Sequence, residues 1–82
     1  MTFGSEKRKE MKKLKTSTIK SYTFKQIKNH VQRYTEYHET GYRVLGVNHS
    51  VDIYEEHGDM YVWCAKFYTK EDLVEFMLDF IY

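Results

Sequence analysis

His30, His38, His49 and His57 are the side chains best suited to hold a metal or move a proton. No two of them stand at the i, i+4 spacing that places paired ligands on one helix face. His49 and His57 could meet only if the fold joined neighbouring turns. Cys64 is the single cysteine and sits inside a strand-like run, where a buried, inert thiol is expected rather than an activated nucleophile. Asp52, Glu55, Glu56 and Asp59 are dense enough for a carboxylate pair or an oxygen cage, yet they lack the D-x-[DN]-x-[DN]-G spacing of a calcium loop. They read as the solvated end of a hairpin. With neither a glycine-rich phosphate loop nor a nucleophile elbow, the expectation is a non-enzymatic protein with no catalytic residues, metal or cofactor.

The remaining chemistry is that of binding, and it is carried by charge and aromatic rings. Residues 1–33 hold ten Lys or Arg against Glu6 and Glu10, a net of +8, whereas residues 34–82 hold three against ten Asp or Glu, a net of −7. A formal charge of +1 conceals this division, which bears on partners and association rate rather than on fold. The basic set is Lys7, Arg8, Lys9, Lys12, Lys13, Lys15 and Lys20, followed by Lys25, Lys28 and Arg33. The acidic set is Glu55, Glu56, Asp59, Glu71, Asp72, Glu75 and Asp79, with Tyr54, Tyr61 and Trp63 close by in sequence. Tyr and Trp offer rigid contact area with a polar tip, and charge complementarity speeds encounter.

Elements that would position these residues can be read from periodicity. Phe24, Ile27, Val31, Tyr34 and His38 recur at helical spacing, which predicts an amphipathic helix from Thr23 as N-cap to His38, with Gly41 as the stop. After Gly41 the period falls to two. Strands are expected at Tyr42–Val47, Val51–Glu55 and Met60–Tyr68, separated by Asn48-His49-Ser50 and Glu56-His57-Gly58-Asp59. Strict alternation would set Tyr61, Trp63, Ala65 and Phe67 on one side of the third strand and Met60, Val62, Cys64, Lys66 and Tyr68 on the other. Thr69, with Asp72 three positions on, heads a final helix whose apolar face is Leu73, Val74, Phe76, Met77, Phe80 and Ile81. The expected fold is a small two-layer α+β domain, α-β-β-β-α, with a three-stranded antiparallel sheet against two helices. Its expected limits are 17–82, preceded by a basic, mobile arm at 1–16. Double-stranded RNA-binding domains share this order, but their second helix opens with lysines where Lys70 is followed here by Glu71 and Asp72.

At 82 residues one domain is the ceiling, and such a domain buries roughly 60% of the surface its unfolded chain exposes, leaving little stability for a deep active-site cavity. Hydrophobic residues at 41% and aromatics at 17% exclude a disordered chain. A lone cysteine, no apolar run of signal-peptide type after the basic start and no stretch long enough to span a bilayer lead to the expectation of a cytoplasmic protein. The functional expectation is a regulator or inhibitor that occupies a basic, nucleic-acid-handling surface of a larger protein. Small acidic inhibitors from phages and mobile elements, anti-CRISPR proteins among them, are similar in size and acidity, a likeness of type rather than of sequence. The alternative is a nucleic-acid-binding protein that uses the basic arm and first helix.

Overall fold

The computed structural model describes residues 11–82. Its elements are α1 (Thr16–Ser21), α2 (Phe24–Tyr37), β1 (Tyr42–Val47), β2 (Ser50–His57), β3 (Met60–Phe67) and α3 (Lys70–Phe76), which runs into a π-helical turn at Met77–Ile81. The expected α+β architecture is present: one antiparallel sheet of order β1-β2-β3 with helices packed on a single face. Helix α1 is additional, since the TSTIKS run carries little helical periodicity.

Local chemistry sets the element boundaries. Thr23 accepts a hydrogen bond from the Gln26 amide (3.2 Å), and the Gln26 side chain accepts one from the Thr23 amide (2.8 Å), closing a reciprocal capping box at the start of α2. The helix ends at Tyr37, before Gly41, and Gly41 at φ +85° instead turns the chain into β1. Gly58 at φ +63° makes the corresponding turn between β2 and β3. Thr69 caps α3 by accepting from the Asp72 amide at 3.2 Å.

The core consists of Ile27, Val31 and Tyr34 from α2, Val44, Val51 and Ile53 from the sheet, and Leu73, Met77 and Ile81 from the C-terminal helical stretch. Met11 and Leu14 pack against its margin. The His38 ring donates to the Met11 carbonyl at 2.8 Å, and the Leu14 amide donates to the Tyr82 hydroxyl at 3.0 Å. The chain is therefore in contact with the core from Met11, five residues before the boundary expected at 16. Residues 1–10 of the anticipated arm lie outside the described residues.

Two departures from simple periodicity matter for function. In β3, Ala65 pairs with Ile53 and Trp63 with Tyr54, leaving Cys64 as an extra residue in a β-bulge. The bulge breaks strict alternation, so Ala65 and Phe67 join the core face whereas Tyr61 and Trp63 take the open face. In the last helix the chain widens at Met77–Ile81, where the Tyr82 amide reaches back to the Met77 carbonyl (2.8 Å). Met77 and Ile81 stay buried, but Phe80, expected on the apolar face, is turned outward and is 60% exposed.

Candidate functional site

The sheet's open face and the outer side of α3 are the two surfaces on which the expected binding residues gather, and they belong to different layers of the fold. On the open face, β-pairing aligns Arg43 with Tyr54, Tyr54 with Trp63, Leu45 with Asp52 and Glu56 with Tyr61. The Arg43 guanidinium lies over the Tyr61 ring at 5.1 Å. The Trp63 indole donates to Asp52 at 3.2 Å, and Asp52 also faces Lys66 at 3.7 Å. Leu45, Val47, Tyr61 and Trp63 are exposed around these pairs. Arg43 and Lys66 balance Asp52 and Glu56 in number, so the face is aromatic and close to neutral.

Glu55 and Asp59 do not join that face. Glu55 stands opposite Tyr42 and Val62, on the helix side of the sheet, where it accepts from His57 at 3.3 Å, and Asp59 sits in the β2–β3 turn. Burial together with the nearby Glu55 carboxylate pushes the Tyr42 hydroxyl and the Cys64 thiol above their ordinary values. Cys64 is exposed rather than buried as expected, because the bulge lifts it out of the regular ladder. Its raised pKa still disfavours the thiolate that a reactive cysteine needs.

The outer side of α3 gathers four carboxylates in one row. Glu71, Asp72, Glu75 and Asp79 are all exposed, and among the described residues none of them forms an ion pair. Leu78, 51% exposed, and Phe80 stand among them. A groove of about 560 Å³ runs between α1 and α3, floored by Ile19, Val74 and Leu78 and rimmed by Lys20, Lys70, Glu71, Glu75 and Asp79. Lys70 fixes the mouth of this groove by donating to the Lys20 carbonyl at 3.2 Å. The apolar component was not readable from a strict helical period, since the π-helical turn is what brings Phe80 to the surface.

The basic set is dispersed. Lys7, Arg8 and Lys9 lie outside the described residues, whereas Lys12, Lys13, Lys15, Lys20, Lys25 and Arg33 are exposed. Lys28, expected on the basic face of the first long helix, is buried instead. Its ammonium donates to the carbonyls of Val47 (2.6 Å), Asn48 (3.4 Å) and Ser50 (3.5 Å), and it lies 4.8 Å from the centre of the Phe24 ring. The Lys28 stem runs beside Gly46, where a Cβ would make ordinary van der Waals contact with it at 3.6 Å. Lys28 therefore ties the β1–β2 hairpin to α2 and is not available to a phosphate.

Histidine geometry is structural in the same sense. His49 stands in the turn before β2 and His57 is the last residue of that strand, roughly 25 Å apart at about 3.3 Å per residue, so they cannot share a metal. Among the described residues no cluster of three or more His, Cys, Asp or Glu side chains could hold a metal ion. His30 instead meets the Tyr82 hydroxyl at 2.5 Å, beside the rings of Tyr34 and His38. That hydroxyl also accepts from the Leu14 amide, and burial holds the His30 pKa below its ordinary value. No described helix is long and apolar enough to cross a membrane. Comparison with protein-family models, with curated proteins and with solved structures finds no match to this chain.

Proposed function

We propose that this is a non-enzymatic binding protein that acts as a regulator or inhibitor by laying the outer side of α3 on a basic surface of a larger protein. The observation that carries this reading is the exposed row Glu71, Asp72, Glu75 and Asp79, unmatched by any described cation and interleaved with exposed Leu78 and Phe80. Carboxylates steer the encounter with a basic partner, and apolar anchors slow its release. A surface shaped to receive nucleic acid has the matching chemistry: it is basic, and it has flat apolar platforms where bases would stack. An inhibitor encoded by a phage or mobile element, of the anti-CRISPR type, is the biological form that suits this chemistry.

Affinity capture from a lysate of the source cell, run in parallel with wild type and the Glu75→Lys/Asp79→Lys variant, tests the reading. A nucleic-acid-handling protein should be retained by the wild type at low salt, lost from the variant, and released as salt rises. Retention unchanged by the double reversal would remove α3 from the interface. A gel-shift titration covers the nucleic-acid alternative: tight binding of DNA or RNA with steep salt dependence would replace this proposal with one based on the exposed lysines and Arg33.

A further inference from the structure

Among the described residues, β3 is an edge strand left uncovered on both faces over its first half. Met60 (67% exposed) and Val62 (45%) look toward the helix side, and Tyr61 (44%) and Trp63 (54%) toward the open side. Edge strands in monomeric proteins are commonly blunted by lysine, proline or inward charge, and the stretch from Met60 to Trp63 has none of these. The bulge at Cys64 and Lys66 protect only the second half.

Backbone direction identifies which groups are free. The Glu56 amide donates to the Gly41 carbonyl at 2.8 Å, so Glu56 turns its polar groups toward β1 and Glu55 turns its own toward Val62 of β3. By the alternation of an antiparallel ladder, Tyr61 and Trp63 then point their N–H and C=O groups outward from the sheet. These two residues are the right distance apart to satisfy one another across a two-fold axis at Val62.

We infer that the chain associates with a second copy of itself through β3, antiparallel, with Val62 on the axis and Tyr61 of each copy opposite Trp63 of the other. The Tyr61–Trp63 pairs are then hydrogen-bonded pairs, and their rings meet on the open face. Val62 meets Val62 as a non-hydrogen-bonded pair, the closer of the two kinds. Charge supports the antiparallel sense. Asp59 precedes the strand and Lys66, which also faces Asp52 of its own chain, stands next to its last residue, so each copy brings its acidic end to the other's basic end, whereas parallel pairing would set like against like. The inference goes beyond the proposed role of α3, which occupies a different layer.

Sedimentation equilibrium on the purified chain, up to roughly 1 mM, the weak end of the affinity scale, should show a reversible monomer–dimer equilibrium. A monomer throughout would overturn the inference and leave the edge to a strand from a different protein. The register is tested by oxidation: Val62→Cys in a Cys64→Ala background should give a disulfide-linked dimer, since closely opposed strand positions fall within disulfide reach. Tyr61→Cys in the same background should cross-link far more slowly, because its opposite number is Trp63. Equal cross-linking of the two, or a dimer in which Val62→Cys fails to link, would overturn the β3 arrangement. Val62→Lys, with its fold checked by circular dichroism, should shift the equilibrium to monomer, and its persistence as a dimer would count against the proposal. The Glu75→Lys/Asp79→Lys variant should dimerise as the wild type does, which keeps this result separate from that of partner capture.

Discussion

Lys28 shows how a single side chain can change role between sequence and fold. In the sequence it belongs to the polar side of α2 with Lys25 and Arg33, and only the hairpin placed against it by tertiary structure makes it a buried tie. Phe24 was the readable hint: a ring four residues earlier to cover the stem. Lys28→Met keeps the stem but leaves three carbonyls short of their donor, and should cost about 1–3 kcal/mol in denaturant unfolding. Lys25→Met, on an exposed neighbour, should fall within about 0.5 kcal/mol of wild type. His30 gives a prediction in pH. Its folded pKa lies below the ordinary 6.5, so the unfolded chain binds the proton more readily. Stability from this site is therefore complete above pH 6.5 and is lost as pH falls below it. His30→Phe should flatten that part of a melting-temperature profile between pH 7.5 and pH 5, measured against the wild type, in which the other histidines also titrate.

At the scale of elements, α2, the three strands and both capping threonines were legible because each rests on local chemistry: a 3.6-residue period, alternation, or a hydroxyl three residues before an amide in need of an acceptor. The bulge and the π-helical turn were not legible, since each inserts backbone without changing residue type. Their effects are nevertheless specific. The expected single side for Tyr61, Trp63, Ala65 and Phe67 is divided by one extra residue, and Phe80 leaves the apolar face for the same kind of reason. Phe76 and Phe80 provide the test. Phe76 packs edge-on against Tyr42 and beside Phe67, so Phe76→Ala should cost roughly 2–4 kcal/mol. Phe80→Ala, on an exposed ring, should stay within about 0.5 kcal/mol in the same unfolding measurement while weakening retention of a basic partner. Equal losses of stability would mean that the helix continues as a regular α-helix with Phe80 inside.

Across the whole molecule, the contrast between basic and acidic halves was fully readable in the sequence, but the way the fold arranges them was not. The acidic residues do not form one surface with the aromatic ones: α3 and the open sheet face lie on opposite sides of the sheet, and the charges on the latter sum to near zero. The start of the described chain belongs to the folded unit, through Met11, Leu14 and the bond from Leu14 to Tyr82. Deleting residues 1–15 should therefore lower the melting temperature, by about 4–8 °C for each kcal/mol that these contacts contribute. An unchanged melting temperature would show that the contacts add nothing. The bulge at Cys64 has one more consequence, for solubility. Deleting Cys64 would place Trp63 and Ala65 next to each other in a regular ladder with every other side chain facing as before, so the deletion variant should still fold. It would, however, have a straighter edge along the whole of β3, open to strand pairing over its full length. Tighter self-association or precipitation of the deletion variant, at concentrations where wild type stays clear, would identify the extra residue as a brake on edge pairing.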